Sequence, residues 1–372
     1  MRIAWVPHRR VPLARRNLLA EPRRLVAGIA GIGLALMLIG LLGGLWAGIQ
    51  TQSVQYLNAT GAALGVLPPG TRTLFAEGTE LPTSTLRTVR ATPGVDWAAP
   101  AWGLFAILNL HNARAAVVLV GSTPGQPGGA WALARGHAPA ADDEVAIDRV
   151  LAAKHGLNVG DRLPVADRSY RIVGITRHAG FMTGYVFATH HAVEVLLGAP
   201  GKTNAILVGS AQPAAVRARL AATGLAVLDT PELRRTAIGL NTKVFGPPLR
   251  LMVAIAFAAG VLIVALTVYA QVAERRREYG IWKALGASGR RLTMLALAQT
   301  LVLSALGLVV GGLLLVAGRA LLALARPQFE VVITPGLLLE AVGAALVMAL
   351  LAAIVPARRL ARLNPATAYR GA

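Results

Sequence analysis

Apolar residues collect in four long blocks that are separated by sequence of mixed polarity. The blocks are 25–49, 251–273, 292–318 and 336–355. Each is long enough to form a helix across a hydrocarbon core of about 30 Å, which takes about 20 predominantly apolar residues. The first block follows basic residues as in a signal peptide, but it is longer than such a segment and no small-residue cleavage pattern follows Gly48. The pattern predicts an integral membrane α-helical protein with four transmembrane helices.

These helices divide the chain into nine predicted segments. In order they are a cytoplasmic basic N-terminal segment (1–24), the first span (25–49), an extracytoplasmic domain (50–248), the second span (249–273), a cytoplasmic loop with a short helix (274–291), the third span (292–318), a short external loop (319–334), the fourth span (335–355) and a cytoplasmic C-terminal tail (356–372). The external segment of about 200 residues is long enough to bury a core of its own.

The external segment alternates between helical and strand patterns. Helices are predicted at 86–91, 148–155, 213–220 and 231–236, where the first ends at a Thr-Pro-Gly turn, the second at Gly156 and the last two carry a proline near their start. Strands are predicted at 115–120, 161–165 and 170–175, the last two forming a hairpin. We therefore expect a large α+β domain between helices 1 and 2, whose last helix continues as a stalk toward Pro247.

Basic residues supply the topology. The net charge is +20, which by itself is typical of nucleic-acid binding. The arginines, however, cluster before the first span, between the second and third spans and after the fourth, and the positive-inside rule places all three clusters in the cytoplasm. We expect them to contact membrane lipids rather than nucleic acid. Both termini are then expected on the cytoplasmic side of a multi-pass membrane protein.

Candidate catalytic and metal-binding patterns are weak. The chain has no cysteine, which excludes disulfides and thiolate sites. Gly-Lys-Thr at 201–203 lacks the preceding P-loop glycine, since Leu196 occupies that position. The histidine pair 190–191 and the acidic run 142–144 lack metal-ligand spacing. We expect no catalytic residue, no metal and no cofactor on this chain.

The loop between the second and third spans is short and amphipathic. Tyr279, Trp282 and Lys283 are spaced to share one helix face, while Ile281 and Leu285 share the adjoining strip. We interpret this segment as a docking surface for a partner, with Trp282 and Leu285 on the docking face. The alternative is an interfacial helix that is anchored by its aromatic residues and binds nothing.

Two further features concern helix packing. Glycines that are four residues apart predict close approach of helices. They are Gly40, Gly44 and Gly48 in the first span and Gly307 and Gly311 in the third. The alternative is that glycine is simply common in membrane helices. Arg319 and Glu340 are both expected near the outer surface. We predict an ion pair between them, unless Glu340 reaches the headgroup region by itself.

Three sequence stretches together resemble the FtsX-like ABC transporter permease family. The stretch ERRREYGIWKALGAS at 274–288 is similar to the family pattern after the second span, and PARRLARLNPA at 356–366 is similar to its C-terminal ending. The external segment resembles the MacB-type periplasmic core at 92–95, 120–121, 146–162 and 173–175. The basic lead at 12–18 and the chain length are most similar to those of stand-alone DevC-like permeases, which lack a fused ATPase, within a group that includes MacB and LolC. The resemblance implies a location in the bacterial cytoplasmic (inner) membrane.

The resemblance implies a non-enzymatic subunit whose partner is a separate ABC ATPase that binds ATP and Mg²⁺. It also implies a second permease copy, as a homodimer or a paralogue heterodimer, and in some members a periplasmic adaptor. Export or extraction of a lipid-like, lipoprotein or amphiphilic substrate by mechanotransmission is the implied activity. The implied ATPase-coupling residues are Arg277, Glu278, Tyr279, Gly280, Ile281, Trp282, Lys283, Leu285 and Gly286.

Two alternatives stay open at this point. One is an FtsX-like regulator of an extracytoplasmic cell-wall hydrolase that transports nothing. The other is a membrane sensor or scaffold without an ATPase.

Overall fold

The structure is a computed structural model that describes residues 22–75, 80–110, 113–177, 180, 183–274, 276–285 and 287–362. Its helices are α1 (Pro22–Thr60), α2 (Ser84–Ala91), α3 (Arg149–His155), α4 (His190–Leu197), α5 (Pro213–Ala221), α6 (Thr230–Glu274), α7 (Arg276–Ala284), α8 (Gly289–Ala325) and α9 (Pro335–Arg362). Its strands are β1 (Leu64–Leu67), β2 (Leu81–Pro82), β3 (Trp97–Leu110), β4 (Ala113–Ser122), β5 (Leu133–Gly136), β6 (Glu144–Asp148), β7 (Arg162–Val165), β8 (Arg168–Thr176), β9 (Gly184–Thr189), β10 (Lys202–Thr203), β11 (Ala205–Gly209) and β12 (Ala226–Asp229).

Four of these helices, α1, α6, α8 and α9, are long and apolar enough to cross a membrane. This confirms the predicted fold class. The helices extend beyond the predicted spans, because α1 continues past residue 49 to Thr60 and α6 already begins at Thr230. The described residues form two compact units, one within 22–47, 247–324 and 331–362, the other within 48–246 and 325–330. Both α1 and α6 therefore begin in one unit and end in the other.

The helical unit has a continuous apolar core. Ile32, Val264, Val268 and Leu303 are completely buried in it, together with Met348. Many other large apolar side chains of the same helices are exposed, as is normal for helices that face lipid rather than water. Among the described residues of this unit, the buried polar side chains are Gln299, Thr300 and Ser304 of α8.

The external domain is built on a mixed ten-stranded sheet with the order β12-β1-β11-β3-β4-β9-β6-β8-β5, and β7 pairs with β8. Most neighbours are antiparallel, but β4 pairs with β9 and β6 pairs with β8 in parallel. A separate two-stranded sheet joins β10 to β2. Helices pack on the sheet, so the domain is α+β as predicted.

The helix predicted at 148–155 and the predicted hairpin are both confirmed in this domain. The Asp148 carboxylate accepts hydrogen bonds from the backbone N–H of Val150 and Leu151 at 2.8 and 2.7 Å, which starts α3. Gly156 ends that helix with φ +67°, a left-handed conformation that favours glycine. The predicted hairpin is β7 with β8.

The segment from 319 to 334 differs from the predicted short loop. Helix α8 continues to Ala325, so Arg319 lies almost two turns before the end of its helix rather than at its end. Glu340 lies in the second turn of α9, and both side chains are exposed. The structure forms no ion pair between these two described residues, and the predicted pair is not present.

Candidate docking helix

The sequence between α6 and α8 forms the short helix α7, which is separated from α6 by one residue. Its last turn is closed by hydrogen bonds from the N–H of Leu285 to the Ile281 carbonyl and from the N–H of Ala287 to the Trp282 carbonyl, both 2.9 Å long. Ser288 then begins α8, because its hydroxyl accepts from the N–H of Arg291 at 3.4 Å. Gly286 lies outside the described residues, as do the side chains of Arg277 and Lys283.

The aromatic residues of α7 belong to the core of the helical unit. Tyr279 is 2% exposed, and Trp282 packs against the same apolar cluster as Val272 and Leu292. The two rings meet edge to face with centroids 5.6 Å apart. The sequence predicts Tyr279 as one of the docking residues, whereas its side chain is buried in the helical unit and is not exposed to a partner in this structure.

A different face of α7 is open. Leu285 is 81% exposed and Ile281 is 42% exposed, and Glu278 is exposed one turn before them. These positions are spaced i, i+3 and i+7, so they form one stripe. Gly280 lies on the buried side of the helix. The aromatic residues thus hold α7 against the helical unit and leave two aliphatic side chains facing outward.

The glycines singled out in the first and third spans lie at close contacts. A Cβ atom added at Gly40 would lie 2.9 Å from Leu315 Cδ2, and one at Gly44 would lie 2.6 Å from Val331 Cγ1. At Gly48 it would lie 1.8 Å from the Glu330 carbonyl oxygen. Distances below 3.0 Å leave no room for a methyl group. Gly40 therefore allows close packing on α8, whereas Gly44 and Gly48 allow close packing of α1 on the segment that connects α8 to α9.

The third span contributes the other half of this packing. A Cβ atom added at Gly307 would lie 2.4 Å from Ile32 Cγ2, and one added at Gly311 would lie 2.9 Å from the Gly33 carbonyl oxygen. Sequence reasoning missed Gly33 and Gly43, which are equally restricted. Gly33 has no glycine four residues before or after it, so the four-residue spacing does not select it. It lies seven residues before Gly40, about two turns, and therefore on the same face of α1.

Two family comparisons account for most of the chain. Residues 26–223, over half of the 372 residues, match the MacB-like periplasmic core domain. Residues 250–365 match the FtsX-like permease C-terminal region. The chain belongs to the FtsX-like permease family. It is a transmembrane ABC transporter permease of the FtsX and MacB type, and the open stripe on α7 lies inside the FtsX-like region.

Relatives of this permease cover it nearly from end to end. An uncharacterized ABC transporter permease of Mycobacterium tuberculosis is 27% identical over 365 residues, which is 96% of this chain and 99% of that protein. A second permease of the same species is 28% identical over 366 residues with the same coverage. An uncharacterized ABC transporter permease of Methanocaldococcus jannaschii is 26% identical over 239 residues, 58% of each chain.

Two solved domains are similar to part of this permease. The extracellular domain of the noncanonic ABC-type transporter YknZ from Gram-positive bacteria covers 45% of this chain and 100% of that chain, with TM-score 0.36 and 12% identity. The periplasmic region of MacB from Actinobacillus actinomycetemcomitans covers 49% of this chain and 97% of that chain, with TM-score 0.37 and 14% identity.

Proposed function

We propose that this permease couples ATP hydrolysis on a separate ATPase subunit to movement of its external domain. The observation that carries the proposal is the course of α6, which begins at Thr230 in the external domain and ends at Glu274, one residue before α7. A displacement of α7 by a partner acts directly on the end of that helix. Motion then reaches the external domain through the backbone of this one helix, which runs from Thr230 to Glu274.

The docking surface in this proposal is the stripe of Ile281 and Leu285, bordered by Glu278. Large exposed aliphatic side chains on a cytoplasmic helix are costly in water and are stabilised when a partner covers them. Tyr279 and Trp282 act behind this surface as positioning residues, since their burial fixes the orientation of α7. The ATPase presents ATP and Mg²⁺, and this chain supplies no catalytic group.

The proline pair in α6 gives the transmission a defined bending point. Pro247 and Pro248 lie inside the helix at the sequence boundary between the two units. Two consecutive prolines remove two backbone N–H donors, which weakens the helix at this place. We expect angular motion to concentrate there, while the segments of α6 before and after it move as rods.

The remaining parts of the proposal extend the family assignment. Two permease copies act with two ATPase subunits in the cytoplasmic (inner) membrane, with both termini and α7 on the cytoplasmic side. The clusters of arginine around the spans support this orientation. Export or extraction of a lipid-like, lipoprotein or amphiphilic substrate, with or without a periplasmic adaptor, is the activity that we propose.

The test uses the full-length permease, affinity-tagged and purified in mild detergent from its own membrane. Ile281→Glu combined with Leu285→Glu places two carboxylates on the stripe, and desolvating unpaired charges costs several kcal/mol. We expect the copurifying P-loop ATPase, identified by mass spectrometry, to fall at least tenfold and permease-stimulated ATP hydrolysis to fall with it.

The matched control is Leu197→Glu, which adds a carboxylate at a leucine that is 41% exposed in the external domain. This variant should retain the ATPase. Full ATPase recovery and full hydrolysis in the Ile281 and Leu285 double variant would overturn the proposal, because no partner could then be covering the stripe.

A further inference from the structure

The external domain contains a cavity of about 350 Å³ beneath its sheet face. Three parts of that unit enclose it. The C-terminal turns of α1 supply Gln52 and Tyr56, the first turns of α6 supply Leu233 and Leu240, and the sheet supplies Val118 from β4. The cavity is separate from α7 and is not used by the coupling proposed above.

Aromatic rings form much of the wall. The Tyr56 ring lies 5.5 Å from that of Phe75 and 6.5 Å from that of Tyr185, and Phe75 lies 6.4 Å from Phe105. The Tyr56 hydroxyl donates to the Gly128 carbonyl at 3.0 Å, so its polar end is already bonded. The tyrosine therefore presents its ring to the cavity.

Gly103 of β3 keeps the Phe75 ring in this wall. A Cβ atom at Gly103 would lie 2.2 Å from Phe75 Cδ1, so any other residue would displace the ring. The Asn204 side chain accepts from the Gly103 N–H at 3.0 Å and donates to its carbonyl at 2.6 Å. The backbone of β3 at Gly103 is thus fixed by hydrogen bonds to both its N–H and its carbonyl group.

The polar groups of the wall are few and uncharged. Asn241 Nδ2 donates to Ser53 Oγ at 2.7 Å, and Ser53 donates to the Ile49 carbonyl at 2.6 Å, so this pair is bonded within the wall. Gln52 is 4% exposed, and its Oε1 has no hydrogen-bond partner in the described part of the chain. Among the described residues that line the cavity, none is Asp, Glu, Lys or Arg.

The mouth of the cavity is apolar as well. Phe105 is 54% exposed and Leu240 is 52% exposed, and both line the cavity. Ile107, two residues along the same face of β3, is 68% exposed, and Val244, one turn along α6, is 64% exposed. A path bordered by such side chains admits apolar molecules more readily than ions.

We propose that this cavity binds a neutral, largely apolar small molecule of about two aromatic rings or the equivalent hydrocarbon. An apolar cavity of about 150 Å³ accommodates benzene, so the larger volume here suits a two-ring compound. Ligand pockets commonly hold about 300–1,000 Å³ and combine an apolar wall with a few polar groups. An ionised ligand is disfavoured because the described residues of the wall offer no opposite charge.

Photolabelling of the full-length permease in nanodiscs tests this site without the ATPase, so its outcome is independent of the docking proposal. The probe is benzophenone, a neutral two-ring ketone that attaches to nearby C–H groups under ultraviolet light. We expect saturable labelling of peptides covering residues 52–57 and 233–245. The charged analogue 4-benzoylbenzoate should label these peptides at least tenfold less at equal concentration.

Ala237→Phe fills the cavity from α6, because Ala237 lines it. The control is Gly239→Phe on the same helix, where an added Cβ meets nothing within 4 Å. We expect at least a tenfold loss of saturable labelling in the first variant and no loss in the second. Val118→Phe fills the cavity from the sheet and should repeat the first result.

Three outcomes overturn the proposal. The first is labelling of these peptides that rises linearly with benzophenone and never saturates. The second is equal labelling of the Ala237→Phe, Val118→Phe and unaltered permeases. The third is saturable labelling that appears only after bound phospholipid is removed and disappears when phosphatidylcholine is restored, which assigns the cavity to lipid acyl chains.

Discussion

Replacing Gly307 by alanine tests whether close helix contact stabilises the bundle. An added Cβ would lie 2.4 Å from Ile32 Cγ2 and 2.7 Å from Ile32 Cβ. Carbon atoms in van der Waals contact are about 3.5–4.0 Å apart. Ile32 is completely buried, so its side chain cannot rotate into open space. The two helices must therefore separate by about 1 Å, given that difference in contact distance.

The expected cost follows from that displacement. Overpacking of a filled core costs about 1–3 kcal/mol, and the higher helix propensity of alanine offsets up to about 1 kcal/mol of it. We expect the Gly307→Ala variant to lose about 1–2 kcal/mol of unfolding free energy. A change of 1 kcal/mol corresponds to roughly 2–4 °C in Tm for a domain of 150–250 residues.

The matched control lies on the same helix. Gly312 is exposed, and a Cβ added there meets nothing within 4 Å, so Gly312→Ala should leave the Tm unchanged or raise it slightly. Tm is measured on the purified permease in one detergent, as the fraction that stays monodisperse after heating. Adding Ile32→Ala to Gly307→Ala should cost less than the sum of the two single changes, since it removes the clash. Equal Tm values for Gly307→Ala and Gly312→Ala, or strict additivity in the double variant, would refute the reasoning.

Three other predictions concern single positions. Gly44→Leu should lower the Tm more than Gly343→Leu. A Cβ added at Gly44 already lies 2.6 Å from a valine methyl group, whereas one added at Gly343 meets nothing within 4 Å. Similar Tm values would mean that the first span does not depend on its glycines. The backbone N–H of Ala140 lowers the pKa of the Glu144 carboxyl in the folded protein. The stabilisation contributed by this carboxylate is therefore complete above its unfolded-state pKa of about 4.3, and it is lost as the pH falls through the lower folded-state pKa. Amide exchange at Ala140, corrected for intrinsic rates, should therefore accelerate in acid, and Glu144→Gln should remove that dependence. Asp148→Ala removes the cap of α3 and should cost about 1–2 kcal/mol, seen as faster amide exchange in that helix; unchanged exchange would argue against the cap.

Features that depend on consecutive residues were predictable from the sequence. The four membrane helices follow from apolar content summed over about 20 neighbouring positions, which needs no knowledge of the fold. Helix α3 follows from Asp148 at its start and Gly156 at its end, because each acts on backbone groups only a few residues away. The family resemblance at 274–288 is likewise contained in one short segment.

Features that depend on distant residues were decided only by the tertiary structure. Periodicity placed Tyr279 and Trp282 on one strip of α7 and Ile281 and Leu285 on the next, but both strips are apolar. Which strip becomes buried depends on the surface that the spans offer, and the aromatic strip fills it. The cavity has the same origin, since α6 meets α1 and β4 there from more than 100 residues further along the chain. Local sequence patterns specify each helix and strand, whereas the choice of buried face is a competition between contacts that no single segment contains.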